Sequence, residues 1–435
     1  MIKSKTSLAY LVYGMGKSGI SIAKNLKKLH AKVICWDDDS KIRKKLNNKN
    51  FIFQKFWNRN IDFKKIFVSP GINIYKGKLK NFFKKNLNKV NTDFDLFFKN
   101  GNFDKTISVT GTNGKSTTCK IIFHIFKKAN LKVQLGGNIG NPILNLYKQK
   151  NKINILEVSS YQLDYSRAFR SKHSILLNIS PDHLERHRNV DTYIKTKLKI
   201  FQAQQKKDYA YINVSDLYYK KIYKLFKSFR FLPRLVKVKK NQFNYIILKI
   251  KNNYLKNSGN IENVIFAIHV AKKFKIKDSV ILSALNSFKG LPYRQQKIYK
   301  NRKFQIINDS KSTSFHSSIS SLKSYPNIYW IVGGLPKLKD KLEFKHTKKN
   351  LIKAYIVGKK TSFYYKLFKN KINFQVSHTI NKAIDEIFEE IKTQKKFSTI
   401  LFSPSGASFD YFKNFEERGD FFQKIVNKKL KNKNV

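Results

Sequence analysis

The sequence predicts an α/β protein of three domains, each built on a mainly parallel sheet. Two glycine loops support this prediction, because each follows a hydrophobic strand and opens an amphipathic helix: Gly14-x-Gly16-x-x-Gly19 and "GTNGKST" at 111–117. In a third section, strands with small or polar residues at their ends alternate with helical stretches. A length of 435 residues also favours about three domains.

The first section is predicted to be Rossmann-like. In "LAYLVYGMGKSGISIAKNLKKLHAKVICWDDD" (8–39), a strand, a glycine loop and a helix are followed by a second strand that ends at Asp37. This order is the dinucleotide-fold fingerprint in its structural context. "IFVSPGI" (66–72) is another strand and ends in a Pro-Gly turn, where a ligand meets a strand's carboxyl end. We assign residues 1–92 to this domain.

The second section opens with a phosphate-binding pattern, "ISVTGTNGKSTTCKIIFHIF" (107–126). A phosphate loop needs small residues, a helix N-terminus behind it, a lysine and a hydroxyl for Mg²⁺, which Gly111, Gly114, Lys115 and Ser116 supply in order. Position 109 is Val, so the loop is shorter than G-x-x-x-x-G-K-[ST]. The coincidence of these features favours a triphosphate site over an ordinary Gly/Asn turn.

Three further residues of this section are candidates. Glu157 ends the strand in "INILEVSSYQLD" (153–164), where a carboxylate can hold Mg²⁺ together with Ser116; the alternative is a surface or capping carboxylate. His183 follows the strand in "HSILLNISPDHLERH", and Lys197 lies in "YIKTKLKIF". Spacing alone does not distinguish these two from a structural histidine and a solvated lysine. Residues 93–297 are predicted to form a central P-loop ATPase-like domain.

The third section, residues 298–435, is predicted to be a second Rossmann-like domain. Its strands are expected in "FQIINDSKSTS", "IYWIVGG", "KAYIVGK" and "STILFSPSGASFD". Asp309, Lys311 and Thr313 follow the first of these strands, and Arg294 precedes it in "GLPYRQQ". Lys311 and Arg294 can steady negative charge on a transferring phosphoryl group, and an exposed cluster at a strand end is an equal alternative.

Composition narrows the class of protein. The chain has 41% apolar residues, enough for real cores, and no apolar run near the roughly 18 residues of a membrane span. The N-terminus lacks a signal-peptide pattern, and two cysteines in regular elements argue against a disulfide framework. We expect a cytoplasmic protein. The net charge of +62 is spread along the chain without a nucleic-acid-binding motif, so we expect no specific nucleic-acid partner.

Taken together, these blocks resemble the Mur ligases, ATP-dependent amide-forming enzymes of peptidoglycan assembly. "GTNGKST", "LEVSSYQLD", "SPDHLERH", "GLPYR" and "INDSKST" are similar to family blocks and occur in the family's order, over essentially the full length. "SPSGASFDYFKNFEERGDFF" (403–422) resembles the branch that adds D-glutamate. The Asp-Asn-Pro-Arg block of the branch that adds a third-position diamino acid is absent.

The resemblance implies roles for individual residues. Lys115, His183, Lys197 and Lys311 would be catalytic, and Lys197 matches a lysine that the family carbamylates. ATP would contact Gly111, Thr112, Asn113, Gly114, Lys115, Ser116, Thr117, Asn263, Arg294 and Asp309. Mg²⁺ would be held by Ser116, Glu157, His183 and carbamylated Lys197. The substrates would contact Gly14, Met15, Gly16, Lys17, Ser18, Asp37, Ser69, Pro70, Gly71, Asn138, Thr313, Lys337, Ser408 and Phe415.

The implied reaction joins D-glutamate to UDP-N-acetylmuramoyl-L-alanine through an acyl phosphate, with ATP and Mg²⁺, in a protein expected to be a monomer. "IVGG" is followed here by "LPKLKDKLEF", without the family's acidic residue after the glycines, which weakens the assignment of Lys337. Three alternatives stay open. They are another Mur-type or folylpolyglutamate-type amide ligase, a nicotinamide oxidoreductase based on Gly14, Gly16, Gly19 and Asp37, and a non-catalytic nucleic-acid binder.

Overall fold

The structure is a computed structural model, and it describes residues 9–47, 51–57, 61–99, 103–148, 151–256, 258–336 and 348–432. The chain divides into two compact units. The first unit comprises Met1–Lys251 and Asn260–Phe288, and the second comprises Asn252–Gly259 and Lys289–Val435. Each unit is described by itself below.

The first unit contains two sheets in which every pair of neighbouring strands is parallel. Its strands are β1 (Ala9–Tyr13), β2 (Val33–Trp36), β3 (Phe63–Val68), β4 (Val90–Asn91), β5 (Thr106–Thr110), β6 (Val133–Gly137), β7 (Ile153–Glu157), β8 (His173–Leu176), β9 (Tyr209–Asn213) and β10 (Arg234–Val238). The sheet orders are β2-β1-β3-β4 and β10-β9-β8-β5-β7-β6.

Helices connect these strands, as parallel pairing requires. They are α1 (Lys17–Lys28), α2 (Ser40–Asn47), α3 (Lys80–Lys85), α4 (Asp93–Lys99), α5 (Lys115–Lys128), α6 (Ser160–Tyr165), α7 (Leu184–His187), α8 (Val190–Leu198), α9 (Tyr219–Lys227), α10 (Asn244–Ile247) and α13 (Asp278–Ser287), with 3₁₀ turns at Leu87–Lys89 and Ile143–Lys148. Helix α11 (Asn253–Lys256) belongs to the second unit, and α12 (Ser258–Lys273) begins there and continues into the first.

Helix α5 shows why the sequence folds this way around the glycine loop. Its apolar residues recur at helical spacing, so Ile121, Ile122, Ile125 and Phe126 all lie buried. Two lysines in the last turn complement the partial negative charge of that helix end. The loop at its N-terminus is therefore carried by a well-anchored helix.

The second unit contains one six-stranded sheet with the order β11-β12-β16-β13-β14-β15. Its elements are β11 (Gln296–Lys300), β12 (Phe304–Asn308), α14 (Phe315–Ser324), β13 (Ile328–Gly333), a 3₁₀ turn (Lys348–Asn350), β14 (Leu351–Val357), α15 (Thr361–Phe368), β15 (Phe374–His378), α16 (Ile380–Thr393), β16 (Ser398–Ser405) and α17 (Phe415–Asn432). Only the edge strand β11 is antiparallel to its neighbour; the other pairs are parallel. Two apolar clusters cover this sheet, and strands β13 and β16 are buried throughout.

The prediction of an α/β fold with mainly parallel sheets is confirmed. The sequence did not indicate β9, β10, β11 or β15, and the strand expected over 153–164 ends at Glu157. There, the Ser159 and Gln162 side chains form a capping box that starts helix α6. The predicted domain boundaries, 1–92, 93–297 and 298–435, stay predictions. Among the described residues, every helix is too short or too polar to cross a membrane.

Candidate active site

The phosphate loop connects β5 to α5 and depends on glycine at two positions. Gly114 caps the helix with a φ of +81°, a left-handed conformation that costs other residues free energy. A Cβ atom at Gly114 would lie 2.2 Å from the Asn263 side-chain oxygen, and Gly111 has a φ of +153°. The same Asn263 oxygen accepts a hydrogen bond from the Thr118 hydroxyl (3.1 Å). The predicted nucleotide-contacting Asn263 therefore packs directly on the loop.

The segment after β8 holds the loop from the other side. Asn178 accepts hydrogen bonds from the backbone N–H groups of Thr112 (3.0 Å, at its carbonyl) and Asn113 (2.9 Å, at its side chain). The Thr112 hydroxyl accepts a hydrogen bond from the Ser180 N–H (3.0 Å). Sequence reasoning missed Asn178 and Ser180, although both lie in the "NIS" that follows a predicted strand, where polar residues at a carboxyl end point to a site.

Two lysines converge on this loop. Lys115 donates hydrogen bonds from its ammonium to the carbonyl oxygens of Gly111 (2.9 Å) and Thr112 (2.8 Å). Lys197, from α8, donates to the same Gly111 oxygen (2.9 Å) and to the Thr110 hydroxyl (3.4 Å). The structure thus brings the predicted phosphate lysine and the predicted carbamylated lysine to one point.

The environment of Lys197 disfavours its charged form. Its side chain is only 1% exposed, and its amine lies 4.7 Å from the centre of the Tyr193 ring. Burial lowers the pKa of Lys197 well below the ordinary value, the charge of Lys115 lowers it further, and Asp182 and Glu157 oppose the shift. Tyr193 was not predicted, although it precedes Lys197 by four residues on one helix face. The predicted carbamylation of Lys197 stays a prediction.

Glu157 is a buried carboxylate with one unsatisfied oxygen. Its Oε1 accepts a hydrogen bond from the Asn138 side chain (2.7 Å), and the Asn138 backbone N–H donates to the Glu157 carbonyl (2.9 Å). Its Oε2 is buried without a hydrogen-bond partner, a state that calls for a cation. Asn138, predicted to contact the substrate, and Glu157, predicted to hold Mg²⁺, are thus in direct contact.

These residues fit a magnesium ion. Mg²⁺ is commonly bound by one or two carboxylates together with substrate phosphates and water. Glu157 Oε2 supplies such a carboxylate oxygen, and the buried Ser116 stands in the first turn of α5. Within the described ranges, no cluster of three or more acidic, histidine or cysteine side chains forms a metal site by itself.

His183 lies at the start of α7 in a left-handed conformation, with a φ of +55°. Its Nδ1 is 2.9 Å from the Tyr161 hydroxyl, and its Nε2 is 3.5 Å from an Asp182 carboxylate oxygen. The ring is 38% exposed, so it remains accessible to a ligand. Its predicted role toward a second Mg²⁺ or the substrate stays a prediction.

The loop after β3 is tied to helices of the central sheet through one carbonyl group. The Ile72 oxygen accepts hydrogen bonds from the Tyr165 hydroxyl (3.0 Å) and from Arg186 (2.8 Å). The Tyr165 hydroxyl also accepts a hydrogen bond from the backbone N–H of Ile74 (3.1 Å). The predicted substrate loop at Ser69–Gly71 is therefore held against α6 and the segment that carries His183.

In the first sheet, Asp37 supports the glycine loop. Its two carboxylate oxygens accept hydrogen bonds from the backbone N–H groups of Met15 (2.6 Å) and Asp39 (3.0 Å). The Ser69 hydroxyl donates to the Gly14 carbonyl (2.5 Å). The structure brings the predicted Gly14, Met15, Asp37 and Ser69 together. Gly16 and Lys17 lie exposed, Ser18 is half-buried at the start of α1, and Pro70 and Gly71 follow in the β3 loop.

In the second unit, Asp309 is buried and saturated with hydrogen bonds. Its carboxylate accepts from the backbone N–H of Gln295 (3.0 Å) and from three hydroxyls, those of Ser312 (2.7 Å), Ser321 (2.7 Å) and Ser403 (2.9 Å). Burial raises the pKa of Asp309, and the three hydroxyls oppose that shift. This arrangement fixes the ends of β12 and β16, and the predicted ribose contact stays a prediction.

Two other predicted residues of this unit, Lys311 and Phe415, are in contact at the start of α17. The Lys311 ammonium sits 3.5 Å from the centre of the Phe415 ring, a cation–π contact. The Phe415 carbonyl accepts a hydrogen bond from Ser310 (2.9 Å). Arg294 and Thr313 are half-buried, and Ser408 is buried in the loop that follows β16. The prediction for Lys337 lies outside the described residues.

Comparison with known proteins identifies the family of this chain. Residues 109–281 match the Mur ligase middle domain. The UDP-N-acetylmuramoylalanine–D-glutamate ligase of Rickettsia felis is 35% identical over 445 residues, covering 98% of each chain. The chain belongs to the Mur ligase family. The resemblance of the sequence blocks to this family is thereby confirmed.

Solved structures agree with the fold of this Mur ligase. The UDP-N-acetylmuramate–alanine ligase of Thermotoga maritima has a TM-score of 0.58 at 12% identity, covering 98% of this chain and all of its own. A MurF ligase of Thermotoga maritima in complex with ADP has a TM-score of 0.55 at 14% identity, covering 97% of this chain and 99% of its own. At these identities the likeness establishes the fold alone.

Proposed function

We propose that this Mur ligase joins D-glutamate to UDP-N-acetylmuramoyl-L-alanine at the expense of ATP, in peptidoglycan synthesis. The observation that carries the proposal is the similarity, over 98% of both chains, to a D-glutamate ligase. The phosphate loop, with two lysines on the Gly111 carbonyl and a buried carboxylate nearby, suits activation of an acid by phosphoryl transfer. We further propose that the protein works as a cytoplasmic monomer.

The first step moves the γ-phosphoryl group of ATP to the L-alanine carboxylate, giving an acyl phosphate and ADP. Two anions must meet, so cationic groups at the loop are required. Lys115 now donates to two loop carbonyls, and its ammonium is in position to exchange them for phosphate oxygens. The loop N–H groups and the N-terminus of α5 favour the same negative charge.

Ser116 and Glu157 would hold Mg²⁺, which offsets the charge of the phosphates when bound. Asn138 keeps the Glu157 carboxylate in place through a 2.7 Å hydrogen bond. His183, whose Nδ1 lies 2.9 Å from the Tyr161 hydroxyl, would help hold a second Mg²⁺ or the substrate. The chain thus supplies oxygen ligands and leaves further positions to phosphates and water.

Lys197 would act as a carbamate. Burial and Lys115 lower the pKa of its amine, which favours the neutral form, and the neutral amine would attack CO₂ to form an N–C bond and release one proton. The product is an anion that no longer repels Lys115 or a bound cation. ¹³C NMR of the enzyme in ¹³C-bicarbonate should show a carbamate signal that Lys197→Met removes and Lys195→Met, at an exposed position of the same helix, retains. A free ammonium at Lys197 in the nucleotide-bound enzyme would contradict this role.

In the second step, the amine of D-glutamate attacks the acyl carbon, an amide bond forms and phosphate leaves. The acyl phosphate hydrolyses readily, so water must be excluded while it exists. Thr313, Ser408, Phe415 and Lys337 of the second unit would surround D-glutamate, and Arg294 and Asp309 would contact ATP. Lys311 would steady the transferring phosphoryl group.

An amino-acid panel tests the proposed function. Phosphate release is measured with ATP, Mg²⁺ and UDP-N-acetylmuramoyl-L-alanine, and with D-glutamate, L-glutamate, L-alanine or diaminopimelate. We expect turnover with D-glutamate alone. Preference for another amino acid would assign the chain to a different amide ligase, and absence of amino-acid-dependent phosphate release would overturn ligase activity itself.

A further inference from the structure

The sheet of the second unit carries a cavity of about 330 Å³ at its carboxyl edge. It lies where β13, β14, β15 and β16 end, and Gly334, Gly358, Thr379 and Pro404 contribute to its lining. Ligands of open α/β sheets bind at this edge, and the volume falls at the lower end of the range for small-molecule sites. Of the residues assigned above to ATP or D-glutamate, none of those that the structure describes lines it.

Two glycines allow charged side chains to reach the cavity wall. Gly334 has a φ of +103°, and a Cβ atom there would lie 3.0 Å from Nη1 of Arg418. Gly358 has a φ of +92°, and a Cβ atom there would lie 2.6 Å from an Asp410 carboxylate oxygen. Both charged residues line the cavity. One cationic and one anionic group therefore stand on a wall that is otherwise mainly apolar.

Arg418 is a buried cation that shares the cavity wall with one carboxylate, that of Asp410. Its side chain is 3% exposed, and it donates to Ser310 Oγ (3.1 Å), the Ser310 carbonyl (2.8 Å) and the Gly406 carbonyl (2.9 Å), all neutral acceptors. Across the described part of the chain, it forms no direct ion pair. Burial lowers the pKa of Arg418 to about 10, and the negative charge of Asp410 opposes that shift, so the group is charged at neutral pH. A buried guanidinium whose hydrogen bonds all go to neutral acceptors favours an anionic ligand as a charged hydrogen-bond partner.

Four aromatic residues, Phe402, Tyr411, Phe412 and Phe421, also line the cavity. Phe402 is buried, and Phe412 packs on Phe421 with ring centres 5.3 Å apart. Phe421 is 44% exposed and Tyr411 is 61% exposed, although both line the cavity. Exposed aromatic rings beside a cavity favour binding of a planar ring that can pack between them.

We propose that this cavity binds a small planar aromatic molecule that carries one anionic group. The ring would lie among Tyr411, Phe412 and Phe421, the anion would face Arg418, and a hydrogen-bond donor on the ring would suit Asp410. The site does not rest on the proposed ligase function, because its lining residues are separate from the proposed ATP and D-glutamate contacts.

Binding of indole-3-carboxylate to the full-length protein tests the proposal. Ligand-observed NMR gives its Kd, with neutral indole-3-carboxamide as the charge control. We expect the amide to bind about tenfold more weakly, because it loses the charged hydrogen bond to Arg418. Equal affinities for the two probes, or no saturable binding of the acid, would overturn the site.

A matched pair of variants locates the probe. Phe421→Ala removes a 44% exposed ring that packs at 5.3 Å on Phe412 and should weaken binding of the acid about tenfold. Tyr365→Ala removes another 44% exposed ring, packed at 5.3 Å on Phe374 outside the cavity, and should change nothing. Binding that survives Phe421→Ala, or that Tyr365→Ala weakens equally, would place the probe elsewhere and reject the proposal. The ligase assay takes no part in these measurements, so the two proposals fail independently.

Discussion

Lys115 and Lys197 donate hydrogen bonds to the same carbonyl oxygen, that of Gly111, each at 2.9 Å. Two charged ammonium groups at one neutral acceptor would repel each other, and Lys197 is the more deeply buried of the two. Such repulsion is relieved when one lysine loses its proton or when anionic phosphates arrive. The carbamate proposed for Lys197 and the triphosphate proposed at Lys115 would each relieve it.

Lys197→Met should raise stability while abolishing turnover. The pKa of Lys197 in the folded state lies well below its unfolded value, so the unfolded chain binds a proton that the folded chain lacks. The free energy of unfolding of the wild type therefore rises with pH between these two pKa values. Methionine removes this penalty, and we expect a gain of about 1 kcal/mol or more at pH 7.

Urea unfolding at several pH values, in buffer depleted of CO₂, checks this expectation. The exposed Lys195→Met variant should retain the pH dependence of the wild type. A Lys197→Met protein that is less stable than the wild type at pH 7 would show that the lysine is charged in the folded state.

Lys115→Ala should abolish ADP release and leave binding of the UDP substrate nearly intact. The ammonium is the loop's only flexible cation in the Gly-Thr-Asn-Gly-Lys-Ser-Thr stretch, and loss of such a group costs about 10²–10³ in rate. Coupled ADP detection and calorimetric titration measure the two quantities. Lys120→Ala, at an exposed position of the same helix, is the control, and comparable turnover of both variants would refute the assignment.

Glu157→Gln should weaken the response to Mg²⁺ without unfolding the protein. The glutamine amide oxygen can still accept the Asn138 hydrogen bond. The group at the position of Glu157 Oε2, which lacks a hydrogen-bond partner in the wild type, no longer carries a negative charge. We expect the Mg²⁺ concentration for half-maximal nucleotide binding to rise about tenfold or more. Glu262→Gln, a carboxylate paired with Lys240, should leave that concentration unchanged. An unaltered Mg²⁺ response in Glu157→Gln would exclude this residue as a ligand.

Gly114→Ala should destabilise the first unit more than Gly77→Ala. Both glycines have a φ near +85°, but a Cβ atom at Gly77 meets open space, whereas one at Gly114 meets the buried Asn263. Backbone strain alone costs about 1–2 kcal/mol, and displacement of Asn263 adds to it at Gly114. Thermal unfolding compares the two variants. Equal losses of stability in the two variants would mean that the Asn263 side chain moves aside without an energetic cost.

His173→Gln should reduce the loss of folding stability at acidic pH. Burial lowers the pKa of His173 to about 3, whereas the unfolded value is about 6.5. The contribution of the neutral histidine to the free energy of unfolding is complete above pH 6.5 and is lost as the pH falls toward 3. About 2 kcal/mol of this contribution is lost by pH 5. Unfolding at pH 7 and pH 5 should show a smaller difference for His173→Gln than for the wild type. The exposed His30→Gln should behave as the wild type.

The fold was predictable where glycines and hydrophobic strands coincide. Strands β1, β5 and β7 coincide with clear apolar runs in the sequence, and α5 follows the glycine loop as predicted. The edge strands β10 and β11 escaped prediction because half-exposed strands alternate with lysines and lack a continuous apolar run. Local sequence patterns therefore predict buried strands better than edge strands.

The site was predictable only in part, for a physical reason. Lys115 and Glu157 carry local signals, a glycine loop and a strand end. The burial of Lys197 and the unsatisfied oxygen of Glu157 depend on tertiary packing, which one sequence does not display. Family resemblance singled out Lys197, and the structure shows that burial and Lys115 lower the pKa of its amine.

The shared acceptor at Ile72 has a consequence for substrate length. Tyr165 and Arg186 both donate hydrogen bonds to that carbonyl, so the loop that contains Ser69–Gly71 is joined directly to the segment bearing His183. If the uridine end rests on the turn and the reactive carboxylate beside His183, protein bonds set the span between them. Sugar nucleotides that are longer or shorter by one unit would then miss the reaction centre even when their ends bind well.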